Sequence, residues 1–204
     1  MNLDAVLLDL GNVLVRWRWR AALEDVLTAD EATRFAAQAD FDALNARLDG
    51  GLPWDRAIDE LTARDPWLGQ TLARYRARFP LSLEGPVPGM TELVGELRSL
   101  GMRLVGLTNW SAEMWRFARP AAPVVGTLDG VVVSGVEGVV KPDARIFRVA
   151  TARYRLDPVR TLFVDDSPRN VAAAAGLGFV AVTFTDAPAL RRALLAHGVP
   201  VAAP

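Results

Sequence analysis

The chain has 204 residues, 51% hydrophobic and 23% charged, which favours a soluble globular fold with one substantial core, or one core plus a small inserted domain, and excludes disorder as the default. Its 23 Lys and Arg against 24 Asp and Glu leave a net charge of −1, so there is no electrostatic footprint for nucleic acid or an anionic membrane, and any phosphate must be held locally. No cysteine and a single histidine, His197, exclude disulfides, thiolate sites and multi-histidine metal sites and argue against a Ser-His-Asp triad; a bound metal would take oxygen ligands, which favours Mg²⁺.

The chain opens Met1-Asn2-Leu3-Asp4 and enters an apolar run almost at once, Val6-Leu7-Leu8, closed by Asp9, Leu10 and Gly11. The run is short enough for one buried strand, and its end delivers a carboxylate to the edge where open α/β sheets bind ligands. No basic segment followed by an apolar signal core is visible, and no apolar run approaches membrane-spanning length, so a cytoplasmic protein with no membrane partner is expected. Over residues 17–79 apolar residues recur at three and four residue intervals, as in Ala22 and Val26 or Ala57, Ile58 and Leu61, a pattern that predicts about four helices. Thr28 with Glu31 fits a capping box and Pro53 with Trp54 and Asp55 a first helical turn; Gly50-Gly51 and Asp65-Pro66 read as breaks.

Glu84-Gly85-Pro86-Val87-Pro88-Gly89 is a turn-rich boundary, after which the pattern changes. Helices are expected at 89–100, 112–118, 143–154, 168–175 and 187–196, interleaved with strands at 103–107, 131–133, 161–164 and 180–182. Such alternation predicts parallel strands joined by crossover helices. The expected architecture is a Rossmann-like α/β core, residues 1–15 and 86–204, interrupted by an all-helical insert, residues 16–85, that is too long to be a loop. Residues 200–204 are expected to fray, and His197 to sit on the surface at the end of the last helix.

Polar groups collect at the ends of the predicted strands. Leu104-Val105-Gly106-Leu107 ends in Thr108-Asn109, Leu162-Phe163-Val164 ends in Asp165-Asp166, and Val139-Val140 leads into Lys141-Pro142-Asp143 ahead of a helix. Together with Asp9 these supply a carboxylate nucleophile, a hydroxyl and an amide for phosphoryl oxygens, an ammonium, and an acidic pair able to hold a hard cation. Phosphoryl transfer needs charge neutralisation and positioning above all, and this set provides both. Adjacent buried carboxylates raise each other's pKa unless a cation intervenes, which again points to metal. Read singly, Thr108 is an ordinary helix cap and Lys141 a solvated loop lysine; read together, the functional interpretation prevails.

On these motifs, in this order, the chain resembles the haloacid dehalogenase superfamily over essentially its whole length. Asp9 matches the nucleophile of that superfamily's first motif, Thr108 the hydroxyl of the second, Lys141 the lysine of the third and Asp165-Asp166 the acidic fourth. The helical insert resembles the superfamily's C1 cap. The wording Asp9-Leu10-Gly11-Asn12-Val13, with Lys141-Pro142-Asp143-Ala144-Arg145-Ile146-Phe147, is similar to the subgroup of α-D-glucose-1-phosphate phosphatase and, less closely, of the soluble epoxide hydrolase phosphatase domain. The resemblance implies catalysis by Asp9, Thr108 and Lys141, and Mg²⁺ held by Asp9, the Gly11 carbonyl and Asp166, with Asp165 direct or through water. It also implies substrate contacts from Asn109 and Trp110, a small phosphorylated substrate, and a monomer or homodimer. Asn170 either positions the acidic loop or serves the helix surface. Trp17, Trp19 and Trp54 are expected to pack between helices, and Arg16, Arg18 and Arg20 to form a solvated face or line the approach of an anion.

Gly11 stands where the superfamily usually carries a second aspartate, the group that protonates the leaving oxygen and then deprotonates the attacking water. Such assistance typically contributes roughly 10²- to 10⁴-fold. Either another group substitutes, for example a cap carboxylate such as Asp40, Asp42 or Asp49, or the substrate needs less help. A sugar 1-phosphate, which leaves as a hemiacetal oxyanion, fits the second case. The expected activity is therefore that of a Mg²⁺-dependent phosphatase acting through an aspartyl-phosphate. The alternatives are a 2-haloacid dehalogenase-type hydrolase, a catalytically degenerate protein that binds a phospho-ligand or partner, and a phosphomutase. The dehalogenase reading is opposed by the acidic pair and by the absence of a Phe-x-x-Leu-Trp-Arg type of segment from the cap.

Overall fold

The structure, a computed structural model, describes residues 3–203, so Met1 and Asn2 of the opening and Pro204 of the tail lie outside the described residues. Strand β1 (Ala5–Leu8) is followed by β2 (Val15–Trp17), by the helices α1 (Ala29–Ala39), α2 (Phe41–Asp49), α3 (Trp54–Arg64) and α4 (Pro66–Arg78), and by β3 (Leu83–Pro86). The chain then alternates through α5 (Met90–Ser99), β4 (Arg103–Thr108), the short α6 (Ala118–Ala121), β5 (Gly130–Val133) and the short α7 (Ser134–Glu137). It ends with α8 (Ala144–Tyr154), β6 (Thr161–Asp165), α9 (Pro168–Gly176), β7 (Val180–Thr183) and α10 (Ala187–Ala196).

The five parallel strands are ordered β5-β4-β1-β6-β7. β1 is central and every one of its residues is buried, as an apolar run covered on both faces requires. Side chains alternate across it. Val6 and Leu8 pack with Leu104, Leu162 and Val164 on one face, while Leu7 packs with Val105, Leu107 and Phe163 on the other, under Ile146 and Phe147 of α8. The chain runs from β1 to β4 and β5 on one side and returns to β6 and β7 on the other. The crevice at the carboxyl end of β1 is therefore the topological switch point, where such sheets place their ligands.

The helical cap forms as its sequence signals require. Thr28 and Glu31 make the capping box, with the Glu31 carboxylate accepting from the Thr28 backbone N–H at 2.8 Å, and Asp65 caps α4 by accepting from Trp67 N at 2.8 Å. Isolated helices of this length are marginal in water, so their stability comes from the face they bury. Phe35, Leu44, Leu48, Trp54, Leu72 and Tyr75 join the same apolar cluster as Leu8, Leu10 and Leu14 of the sheet side. Burying each such side chain contributes about 1.5–3 kcal/mol. Specific polar ties add direction: Arg76 bridges to Glu113 at 2.7 Å, and Glu113 accepts the Trp54 backbone N–H at 2.9 Å.

Three expectations are corrected. Residues 15–17 and 83–86 pair as an antiparallel ribbon, so the first half of the boundary read at 84–89 is strand, while Pro88 and Gly89, the latter at φ +78, form the turn expected there. The helix expected at 112–118 is a short 3₁₀ turn, Trp115–Phe117, running into α6. The Ser111 hydroxyl, just ahead of it, accepts from Trp54 Nε1 at 2.8 Å. The tail does not fray as far as it is described: Val201 is buried, and Ala202 N donates to Glu96 Oε2 at 3.0 Å. His197 is exposed at the C-terminal end of α10, as expected. No helix among the described residues is long and apolar enough to cross a membrane.

Candidate active site

Asp9 follows the last residue of β1, and its backbone N–H continues the ladder to Val164 O at 2.8 Å. The chain must then turn sharply. Leu10 O accepts from the backbone N–H groups of Val13, Leu14 and Val15, and Asn12 adopts a left-handed φ of 55, a conformation that Asn tolerates better than most residues. This turn brings Gly11 and Asn12 over the strand ends. Asn12 Oδ1 accepts from Trp17 N at 3.0 Å, and its Nδ2 faces Asp166 Oδ2 at 3.4 Å.

Lys141 lies at the base of the crevice, and each of its three ammonium protons has an acceptor. Its Nζ stands 2.6 Å from Asp165 Oδ2, 2.9 Å from Asp9 Oδ1 and 2.8 Å from Leu107 O. The backbone that carries it is locked in turn by Asn109, whose amide accepts from Lys141 N at 2.8 Å and donates to Lys141 O at 3.0 Å. Burial opposes the charge on Lys141, but Asp9 and Asp165 outweigh it and hold its pKa above the ordinary value.

Asp165, the last residue of β6, is fully enclosed. Its Oδ1 accepts from Ser167 N at 2.9 Å and Asn170 Nδ2 at 3.0 Å, and its Oδ2 takes Lys141 and, at 3.1 Å, Asn170 Nδ2 again. A carboxylate has about four acceptor positions; these donors occupy them. Asn170 therefore positions the acidic loop, the first of its two readings. Burial pushes the Asp9 carboxyl up to about 7, Lys141 opposing and Asp165 and Asp166 adding to the rise. Asp166 is pushed up as well, by burial and by Asp165.

Asp9, Asp165 and Asp166 each offer an oxygen, all within 4.8 Å of one another. Their charges exceed what the single ammonium neutralises, and Asp165 adds to the rise that burial imposes on both Asp9 and Asp166. A hard divalent cation is the counter-charge that suits such a donor set. With Asp165 saturated by donors, Asp9 and Asp166 are the carboxylates left for it, beside the Gly11 backbone.

The crevice is a cavity of about 230 Å³ lined by Asp9, Gly11, Asn12, Lys141 and Asp166 at its base and by Trp17, Trp54, Phe79 and Trp110 above. Trp110 Nε1 is buried without a partner, and so is the hydroxyl of Thr108 at the end of β4. Buried polar atoms are nearly always paired, so an orphan hydroxyl beside the nucleophile's strand is notable. Asn109 lines the cavity, but its amide is engaged by Lys141. Of the arginines near the cap's start, Arg18 pairs with Glu24 and Glu84 and Arg16 reaches Glu84 O; among the described residues none of Arg16, Arg18 and Arg20 lines the cavity.

Of the cap carboxylates, Asp40 and Asp42 are exposed and away from the cavity, whereas Asp49 lines it together with Asn45. Ser134, which had no sequence signal, links cap and core: its Oγ accepts from Trp110 N at 2.9 Å and donates to the Asp49 carbonyl at 2.6 Å. Asn12 and Asn45 were not singled out for a role either, since an Asn in a loop or helix carries no pattern of its own.

A family model described as haloacid dehalogenase-like hydrolase matches residues 3–178. Among characterised relatives, the chain is 32% identical over 101 residues to sesquiterpene phosphatase astK of Aspergillus oryzae, covering 50% of this chain and 52% of that protein. It is 29% identical over 119 residues to phosphoserine phosphatase of Thermus thermophilus, covering 58% and 46%. The chain thus spans about half the length of these relatives. In fold it is similar to a haloacid dehalogenase family enzyme of Bacteroides thetaiotaomicron, crystallised in complex with magnesium and inorganic phosphate, with a TM-score of 0.74, 20% identity and 91% and 96% of the two chains covered.

Proposed function

The chain belongs to the haloacid dehalogenase-like hydrolases, and we propose that within them it is a Mg²⁺-dependent phosphatase of small phosphorylated metabolites, with a sugar 1-phosphate as the leading substrate. The observation that carries this reading is the placement of Lys141, buried between Asp9 and Asp165 at 2.9 and 2.6 Å, beneath a cavity edged by Asp166. The phosphatase relatives and the magnesium and phosphate complex of the structural neighbour support it. Residues 1–15 and 86–204 form the catalytic core in this reading, and residues 16–85 the cap that selects the substrate.

Asp9 Oδ attacks phosphorus and the bond to the leaving oxygen breaks, giving an aspartyl-phosphate; water then attacks phosphorus, frees Asp9 and releases phosphate. Lys141 holds Asp9 in line and neutralises charge on the transferring group, and the unpaired Thr108 hydroxyl donates to a phosphoryl oxygen. Asp9, the Gly11 carbonyl and Asp166 would hold Mg²⁺, whose charge stabilises the phosphoryl oxygens as negative charge builds. Asp165 orients Lys141 and the acidic loop. Trp110 and the other aromatic walls contact the leaving group, and Asn109 acts through the Lys141 backbone.

A screen of phosphate release from sugar 1-phosphates, sugar 6-phosphates and aryl phosphates, with Mg²⁺ and with EDTA, tests this. Release that requires Mg²⁺ is expected. Uniform inactivity of folded protein, or metal-independent chloride release from 2-chloropropionate, would overturn it.

A further inference from the structure

Gly11 leaves the cavity without the usual proton donor on the core side, and the cap supplies a carboxylate opposite. Asp49 is the last residue of α2, and two hydrogen bonds fix it there. Its carbonyl accepts from Ser134 Oγ at 2.6 Å, and its carboxylate accepts from Asn45 Nδ2 at 2.9 Å. The following turn rests on the core: a Cβ on Gly51 would meet Gly135 O at 3.1 Å, and one on Gly50 would meet Val140 Cγ1 at 3.8 Å. The carboxylate is held over the same cavity as Asp9, Lys141 and Asp166.

Its position is also unfavourable for a charge. A carboxylate in the last turn of a helix faces the negative end of the helix dipole, where cations are preferred. Burial pushes the Asp49 carboxyl up to about 7; the Ser111 backbone N–H, Lys141 and Asn45 pull it down, and Asp9 adds to the rise. A group near that value at neutral pH can both give and accept a proton. The rest of α2 does not explain the residue, because the neighbouring acid on that helix, Asp42, is exposed.

Resting on the aspartyl-phosphate reading above, we propose that Asp49 of the cap is the general acid and base that Gly11 cannot be. In the first step Asp9 bonds to phosphorus, the bond from phosphorus to the leaving oxygen breaks, and that oxygen takes the Asp49 proton. In the second, water bonds to phosphorus, its proton passes to the Asp49 carboxylate, and the bond between phosphorus and Asp9 breaks. The proton lent in one step is recovered in the other. With a donor in the cap the leaving oxygen can be an ordinary alkoxide, so the substrate class widens from sugar 1-phosphates to alkyl phosphate esters.

The test compares benzyl phosphate, which leaves as a basic alkoxide, with 4-nitrophenyl phosphate, which needs no acid, in the presence of Mg²⁺. In the Asp49→Asn variant, turnover of benzyl phosphate should fall roughly 10²- to 10⁴-fold. With 4-nitrophenyl phosphate the same variant should release one equivalent of nitrophenol in a burst and then turn over slowly, because phosphoenzyme hydrolysis has lost its base. Adding Gly11→Asp should restore benzyl phosphate turnover, since a Cβ at position 11 meets nothing within 4 Å. Unchanged turnover of benzyl phosphate in Asp49→Asn, or equal loss on both substrates without burst or rescue, overturns the proposal. The wild-type protein gives a second measurement that needs no variant: similar turnover of the two esters supports an internal acid, and a steep preference for the nitrophenyl ester overturns it. A wild-type protein that forms no phosphoenzyme with either ester overturns the underlying nucleophile reading instead, which separates the two failures.

Discussion

Lys141 Nζ stands 2.6 Å from Asp165 Oδ2, with both side chains almost wholly removed from solvent. Each charge is tolerable there only because of the other. Replacing Lys141 by Met leaves Asp9, Asp165 and Asp166 without their ammonium. The variant should lose about 3–5 kcal/mol of stability, read by urea unfolding in EDTA, and should have no turnover. Added Mg²⁺ should recover part of the stability and none of the activity.

Asn170 donates to both oxygens of Asp165. Asn170→Ala strips donors from a buried carboxylate, which costs about 1–3 kcal/mol. Because Asp165 acts through Lys141, kcat should fall while KM moves little. Steady-state kinetics beside a denaturation curve check both, and wild-type kcat would contradict the positioning role.

Ser134 ties Trp110 on the core to Asp49 on the cap. Ser134→Ala leaves the Trp110 N–H and the Asp49 carbonyl short of a partner, with a stability loss of about 1–3 kcal/mol. Misplacing a catalytic group by about 1 Å can lower turnover by as much as 10²-fold, so benzyl phosphate turnover should suffer more than that of 4-nitrophenyl phosphate. Equal losses on the two esters would mean that Ser134 is a structural tie only.

The strands at 103–108 and 161–165 were legible almost to the residue because Leu104-Val105 and Leu162-Phe163-Val164 are apolar runs ending in polar groups. Thr108 and the acidic pair followed from those ends, Asp9 from the end of the first apolar run, and Lys141 from the Val139-Val140 step ahead of α8, which is not a strand. The β2–β3 ribbon was not legible, since Val15–Trp17 has Arg16 at its centre and its partner lies beyond all four cap helices. Asp40 ends α1 in a left-handed conformation that nothing around it announces. Val199 and Val201 are both buried, a period-2 signal that the tail's prolines obscured. Asp49 before Gly50-Gly51 was visible as a candidate, but its reach was not, because that depends on Gly51 resting against Gly135, far away in sequence.

The Asp49 carboxyl also sets a pH dependence. Its folded-state value of about 7 lies above the unfolded value of about 3.9. Below about pH 4 the proton is bound in both states and the group has no effect on folding. Between about pH 4 and 7 the unfolded chain releases the proton while the folded chain retains it, so stability falls as pH rises; above about 7 the effect is constant. Asp49→Asn removes this dependence. Unfolding curves in EDTA should show the variant gaining on the wild type across pH 4 to 7, and a difference that does not move with pH contradicts the raised value.

The central claim, that Asp9 is the phosphorylated nucleophile, is tested most directly by acid-quenching the protein during turnover of 4-nitrophenyl phosphate with Mg²⁺ and locating the phosphoryl group by peptide mass spectrometry. The phosphoryl group should be on Asp9, in greater amount in Asp49→Asn, and absent from Asp9→Asn. Phosphate on another residue, or turnover that persists in Asp9→Asn, would contradict the account.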